Sequence, residues 1–250
     1  MSAEKNILAK VFDHLDRQGP GGAAFTRQAL RLIPSLPAHP NILDVGCGAG
    51  AQTLALAQEV AANITALDNS SELLAKLKQR LQNEKLLSSV QLAQGSMFDL
   101  NFSPESYDVL WSEGAIYIIG FERGLREWQR LVKKGGYIVT SHLSWLKDNI
   151  PQQLRDFWSQ ETEVLTIEEN IKKIKAAGLS PFSHFALPPE AWWENFYVPI
   201  QNRIEQLGQG DLSVTEQKEI AGLEKEIEIY KKFSSYYGYV FYLMQKPQAT

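Results

Sequence analysis

The sequence has a single cysteine, Cys47, in 250 residues. That excludes an intrachain disulfide and a Cys-rich metal scaffold. Histidine is nearly as scarce, with four residues, and no His, Cys and carboxylate cluster has metal-ligand spacing. No metal site is therefore expected. No apolar run reaches the roughly 18 residues of a membrane-spanning helix. The opening MSAEKNILAK lacks the apolar core of a signal peptide, so a cytoplasmic location is expected. Basic residues are not in excess: 25 Lys+Arg against 29 Asp+Glu give a net charge of −4. Binding a phosphate backbone needs a basic surface, so a nucleic-acid partner is disfavoured, although a local basic patch is allowed. Internal repeats and low-complexity tracts are absent. What remains is an ordinary globular composition, 44% hydrophobic, long enough to bury a full core as one domain over residues 1–250. A homodimer is compatible with it.

The most informative stretch is Asn41–Gly50, NILDVGCGAG. Ile42, Leu43 and Val45 form a strand-like apolar run interrupted by Asp44. Gly46, Gly48 and Gly50 follow, with Cys47 among them, and Ala51–Ala57 begins a good helix former. A strand that turns through glycines into a helix gathers free backbone N–H groups and a positive helix end at one point. It also lets a ligand approach the backbone without a Cβ in the way. This is a nucleotide-type site. The spacing Gly46-x-Gly48-x-x-Ala51 also satisfies the dinucleotide fingerprint, and Asp68 stands about 20 residues on, where a ribose-binding acid is expected. Asp44 separates the two. An acid two residues before the first glycine repels a pyrophosphate and suits a cationic ligand.

Strand and helix then alternate. Strands are expected at 41–45, 63–67, 90–93, 107–111 and 136–141, and helices at 50–59, 70–82 and around Leu125–Val132. Such alternation implies parallel strands with helices on both faces, and a ligand site at the carboxyl ends of the strands. Before this core, Ile7, Leu8, Val11, Phe12 and Leu15 have helical spacing. A second helix is expected at 23–33 after the Gly19-Pro20-Gly21-Gly22 break. Residues 1–35 thus read as a helical lid, with Arg17–Gly22 either folding over the ligand or serving as a plain turn. After His142 come helical patterns at 154–160 and 167–177, with Gly178 as C-cap, and a strand near 182–187. A Ser213/Glu216 capping box then opens a long helix, and Tyr237–Met244 is a closing strand. Residues 188–235 read as an insertion between the last two strands. Its Trp192, Trp193, Phe196 and Tyr197 either wall a pocket for an apolar or cationic acceptor or pack onto the core.

The glycine stretch resembles the glycine-rich motif of class I S-adenosylmethionine (SAM) methyltransferases, whose cofactor carries a sulfonium and an ammonium. Gln94-Gly95-Ser96-Met97-Phe98-Asp99-Leu100 resembles the segment after the third strand in the ubiquinone/menaquinone-biosynthesis type. Lys133-Lys134-Gly135-Gly136 resembles that family's turn into the fifth strand. The resemblance implies a Rossmann-like three-layer sandwich with a mostly parallel seven-stranded sheet and one antiparallel strand near the C-terminus. It further implies SAM as cofactor, S-adenosylhomocysteine (SAH) as product, and in-line methyl transfer to a small-molecule acceptor.

On this reading Asp44, Gly46, Cys47, Gly48 and Gly50 form the cofactor loop, with Asp44 supporting it or reaching the ammonium through water. Asp68, with Asn69 beside it, holds the ribose or else caps the following helix. Gly95, Ser96 and Met97 frame the adenine, although Ser96 stands where the family usually has Asp. Glu113, Tyr117 and His142 face the acceptor, Glu113 as a charged group or general base, with plain surface or packing roles as the alternatives. A nicotinamide-dependent oxidoreductase, a non-catalytic SAM-binding module and an RNA methyltransferase are the competing readings.

Overall fold

A computed structural model of the chain describes residues 6–13, 15–160 and 162–248. Parts of the expected N-terminal lid, residues 1–5 and His14, lie outside the described residues. Among the described residues eight strands form one sheet: β1 (Asn41–Val45), β2 (Asn63–Asp68), β3 (Val90–Gln94), β4 (Tyr107–Glu113), β5 (Val132–Trp145), β6 (Leu165–Thr166), β7 (Ser180–Ala186) and β8 (Tyr237–Gln245). Their order is β3-β2-β1-β4-β5-β8-β7, with the two-residue β6 beside the end of β5. Strands β1 to β6 pair in parallel, and β8 runs antiparallel to both of its neighbours. The expected sandwich with a late antiparallel strand is what forms. After β3 the strand order switches to the other side of β1, where β4 is added, so that the carboxyl ends of β1 and β4 lie side by side.

Among the described residues ten α-helices surround the sheet: α1 (Ile7–Phe12), α2 (Ala23–Leu32), α3 (Ala51–Glu59), α4 (Ser71–Asn83), α5 (Phe121–Trp128), α6 (Gln152–Trp158), α7 (Ile167–Ala176), α8 (Glu190–Trp192), α9 (Val198–Leu207) and α10 (Val214–Phe233). Alternation along β1 explains why its apolar run is unbroken. Ile42 packs into the core under α2, α3 and α4, whereas Leu43 and Val45 pack into the core under α5 and α7. A strand buried on both faces needs apolar residues at nearly every position.

A third apolar cluster caps the ligand end of the sheet. It joins Val11 of α1, Leu143 and Trp145 of β5, Leu154 of α6, Trp192, Phe196 and Tyr197, and Ile227 and Tyr230 of α10. The aromatic stretch 190–197 is helical, running from α8 through a π turn over Trp193–Tyr197 into α9. Pi turns of this kind recur at functional sites. The expected Ser213/Glu216 capping box is present, and Thr166 with Glu169 forms another that the sequence reading did not single out.

Candidate functional site

The glycine loop leaves β1 with Gly46, Gly48 and Gly50 all at positive φ, between +54° and +83°. A Cβ at Gly50 would stand 2.1 Å from Leu77 Cδ1 of α4, and one at Gly46 would stand 2.6 Å from the Ala115 Cβ. Glycine is needed here for backbone conformation and for close approach. Asp44 lies behind the loop and is fully buried. It accepts from Thr53 Oγ1 (2.6 Å) and Gln52 Nε2 (3.2 Å), both on the first turn of α3. Burial raises its carboxyl to about 7, against the lowering effect of those two donors. Asp44 does not line the cavity in front of the loop. Its geometry is that of a loop support, the first of the two roles the sequence allowed.

That cavity, about 290 Å³, sits at the carboxyl ends of β1 to β4. Gly46, Cys47, Gly48 and Gly50 line it, with Asp68 and Asn69 on one side and Gly95, Ser96 and Met97 on the next. The cofactor residues named from sequence, Asp44 excepted, are thus brought to one place. Asp68 ends β2 and accepts from Gly48 N and Ser70 N, each at 2.9 Å. It is only half-buried, so its remaining lone pairs face the cavity. Ser70 caps α4 with its own hydroxyl, which accepts from Leu73 N, so Asp68 is not the cap. Ser96 Oγ accepts from Phe98 N (3.2 Å) and keeps its proton to donate. The Cys47 thiol is buried, and burial beside the carboxylates of Asp44 and Asp68 pushes its pKa up. It contributes backbone and packing, not a nucleophile.

The front wall is the segment Asp16–Pro20, which the sequence allowed to be either a lid or a turn. Arg17 anchors it. Its Nη2 donates to Glu113 Oε2 at 2.6 Å and its Nε to Pro20 O at 3.3 Å, while Nη1 is buried with no partner. Glu113 also accepts from Thr26 Oγ1 (2.7 Å) and Trp111 Nε1 (2.8 Å), both on Oε1. Its side chain has 0% exposure. This corrects the expectation of a general base at Glu113. Both oxygens are occupied and the charge is neutralised, so it latches the N-terminal segment onto β4.

A second cavity of about 530 Å³ adjoins the first, and Gln18, Gly19, Pro20, Gly114 and Tyr117 line both. Phe157, Trp158, Trp192, Phe196 and Tyr239 supply aromatic walls, and α10 contributes Glu219, Lys225 and Glu226. Tyr117 is 45% exposed at the boundary between the cavities. His142 is elsewhere, a second correction. Residues alternate along β5, so Leu143 faces the larger cavity while His142 points through the opposite face. There it stacks on Phe121 at 4.7 Å and borders a separate 150 Å³ cavity. Burial, with the Lys173 charge, lowers it to about 4, so it is neutral at physiological pH.

Residues 43–140 match the family model described as a methyltransferase domain. The demethylmenaquinone methyltransferase of Desulfitobacterium hafniense is 29% identical over 160 residues, 61% of each chain. The chain thus spans about three fifths of the length of that curated relative. A SAM-dependent methyltransferase from Geobacter sulfurreducens, solved with SAH, superposes with a TM-score of 0.80 at 17% identity, covering 98% of this chain and 99% of that one. The [4+2]-cyclase SpnF superposes at 0.75 with 19% identity, covering 97% and 93%. At such identities a superposition speaks for the fold alone, and the family match covers about two fifths of the chain. Over residues 43–140 the chain resembles a SAM-dependent methyltransferase domain.

Sequence reasoning missed Thr26 as a partner of Glu113 and Glu226 as part of a cavity. It singled out Arg17 only as part of a segment. The Arg17–Glu113 contact joins residues 96 apart, and no local pattern signals it. Among the described residues no helix is long and apolar enough to cross a membrane, and no cluster of metal-ligand type forms.

Proposed function

We propose that the protein transfers the methyl group of SAM to a small molecule, with the cofactor in the smaller cavity and the acceptor in the larger. One observation carries this reading: the glycine loop, the half-open Asp68 and Arg17, whose Nη1 is buried without a partner, all line a single cavity that adjoins a second. The residues present fit the cofactor. Asp68 has lone pairs for two ribose hydroxyls. Gly95, Ser96 and Met97 give the adenine a shallow wall. The glycines leave room for the methionine portion, and Arg17 Nη1 offers a buried, unpartnered donor of the kind a carboxylate satisfies.

When bound, SAM supplies an electrophilic methyl on a sulfonium. The chain's own residues orient and enclose. Gly114, whose N–H donates to Ser141 Oγ at 2.8 Å, fixes the β4 exit loop against β5 at the boundary of the two cavities. Tyr117 stands beside it, and Gln18–Pro20 close the front. Holding donor and acceptor in line while excluding water supplies the rate enhancement, and no protein nucleophile is required. Residues 1–35 act as the lid and 188–235 as the acceptor element, because Leu8, Phe12 and Gln18 to Pro20 of the first and Trp192, Phe196 and Glu226 of the second line the larger cavity. The one cysteine, free and buried, suits a reducing compartment, which favours the cytoplasm.

Calorimetric titration with SAH, and with NADH in parallel, tests the reading. SAH is expected to bind and NADH not to. Binding of NADH alone would overturn it in favour of the oxidoreductase that the glycine spacing also permits.

A further inference from the structure

The larger cavity has aromatic residues and carboxylates in its lining. Trp192 is one of them. It stacks on Tyr239 (5.4 Å, 19°) and on Tyr230 (4.5 Å, 19°), and its Nε1 is buried without a partner. Phe157, Trp158 and Phe196 complete the wall. Glu226 reaches in from α10, accepting from Tyr197 Oη at 2.9 Å. Its negative field contributes to the raised pKa values of Tyr117 and Tyr239, although burial is the larger cause in both, so the carboxylate faces the same space as these rings. Glu219 adds a second acid. The one lysine of the lining, Lys225, has its Nζ 5.7 Å above the Phe157 ring, so an aromatic wall of this cavity already carries a cation.

We propose that the larger cavity recognises an apolar amine, received as its ammonium by Glu226 and the surrounding aromatic faces, and that the protein is an N-methyltransferase. This rests on the proposed methyl transfer and names its substrate class. Aromatic faces attract cations, and the attraction grows when both are shielded from water. A phosphorylated or carboxylated acceptor meets two glutamates against one lysine here and is disfavoured. An uncharged phenol gains nothing from the carboxylate's field beyond a hydrogen bond. The chemistry balances. The ammonium releases its proton to water at the open mouth, and the freed nitrogen lone pair forms the N–C bond. The S–C bond breaks with its electron pair kept by sulfur, leaving a neutral thioether and an N-methylammonium product.

The test uses three probes on the full chain, with and without saturating SAH: benzyltrimethylammonium, its uncharged isostere neopentylbenzene, and phenylacetate. The cation is expected to bind at least tenfold more tightly than the isostere, and phenylacetate more weakly than either. Glu226→Gln preserves size and an acceptor for Tyr197, and should lose at least tenfold for the cation alone while SAH affinity stays within twofold. Cation and isostere binding alike in the wild type, or a Glu226→Gln protein that binds the cation as well as the wild type, would overturn the proposal. The wild-type comparison stands even if the variant folds poorly. SAH bound without preference for the cation defeats the amine assignment and leaves methyl transfer standing. Failure of SAH to bind defeats the underlying reading itself.

Discussion

At the scale of single residues, two buried charges behave in opposite ways. Arg17 is 9% exposed and has a carboxylate partner, yet one of its nitrogens is left without an acceptor. An unmet buried donor costs about 1–3 kcal/mol, and an arriving carboxylate removes that cost. Arg17→Gln should therefore weaken SAH at least tenfold while leaving 5′-methylthioadenosine, which lacks the amino-acid portion, within threefold of wild type. Equal losses for both ligands would mean that Arg17 acts only through the fold. Asp44 has donors but no cation in contact, and its carboxyl sits near 7 instead of the ordinary 3.8. Between those values the folded protein holds a proton that the unfolded chain has released. The stability this gives is full below about pH 4 and is lost as pH rises through 7, at a slope of about 1.4 kcal/mol per pH unit. Asp44→Asn removes the titration. Urea melts at pH 5 to 8 should show the wild type losing ground to Asp44→Asn up to about pH 7 and running parallel above it. Parallel behaviour throughout would mean that Asp44 is ionised when buried.

At the scale of elements, legibility followed the range of the forces involved. The strands β1 to β4 and the helices α3 and α4 were readable because burial on both faces writes a continuous apolar run, and burial on one face writes a 3.6-residue period. The glycine loop was readable because positive φ and close approach leave glycine as the only fit. By contrast, β5 is 14 residues long where 136–141 was expected. Lys133, Lys134 and two glycines hide its start, and the structure shows why the first lysine is tolerated: Lys133 Nζ pairs with Asp108 at 2.9 Å. The 190–197 segment was undecidable, since its aromatics serve equally as core and as cavity wall, and the structure uses Trp192 as both. Glu113 was misread for a related reason. An acid at the carboxyl end of a strand is where catalysis places a base, but Arg17 and Thr26, which occupy it, arrive from an element with no sequence proximity. His142 needed the parity of β5, which turns on a register that composition does not carry.

At the scale of the whole molecule, the two cavities share a wall that belongs to neither the sheet nor the insertion. Residues 16–20 are held from three directions. Arg80 of α4 donates from Nη1 to Asp16 O (3.0 Å) and to Ala49 O of the glycine loop (3.1 Å). Glu113 of β4 holds Arg17. Just beyond the segment, Gly21 N donates to Ala191 O (3.1 Å), and Asn195 Nδ2 donates to Gly21 O (2.7 Å). A cofactor seated against the glycine loop and Arg17 therefore steadies the same residues, Gln18 to Pro20, that wall the acceptor cavity. The two ligands should couple. SAH should tighten benzyltrimethylammonium about fivefold, a coupling of about 1 kcal/mol, and by linkage the cation should tighten SAH by the same factor. Amide exchange at Gly21, measured on the protein with SAH alone, should slow as the segment is held. Arg80 lines neither cavity, so Arg80→Ala should reduce the coupling while leaving the cation's affinity for the SAH-free protein unchanged. Equal probe affinities with and without SAH, together with unchanged exchange at Gly21, would show that the N-terminal segment is already fixed before either ligand arrives and that the two cavities fill independently.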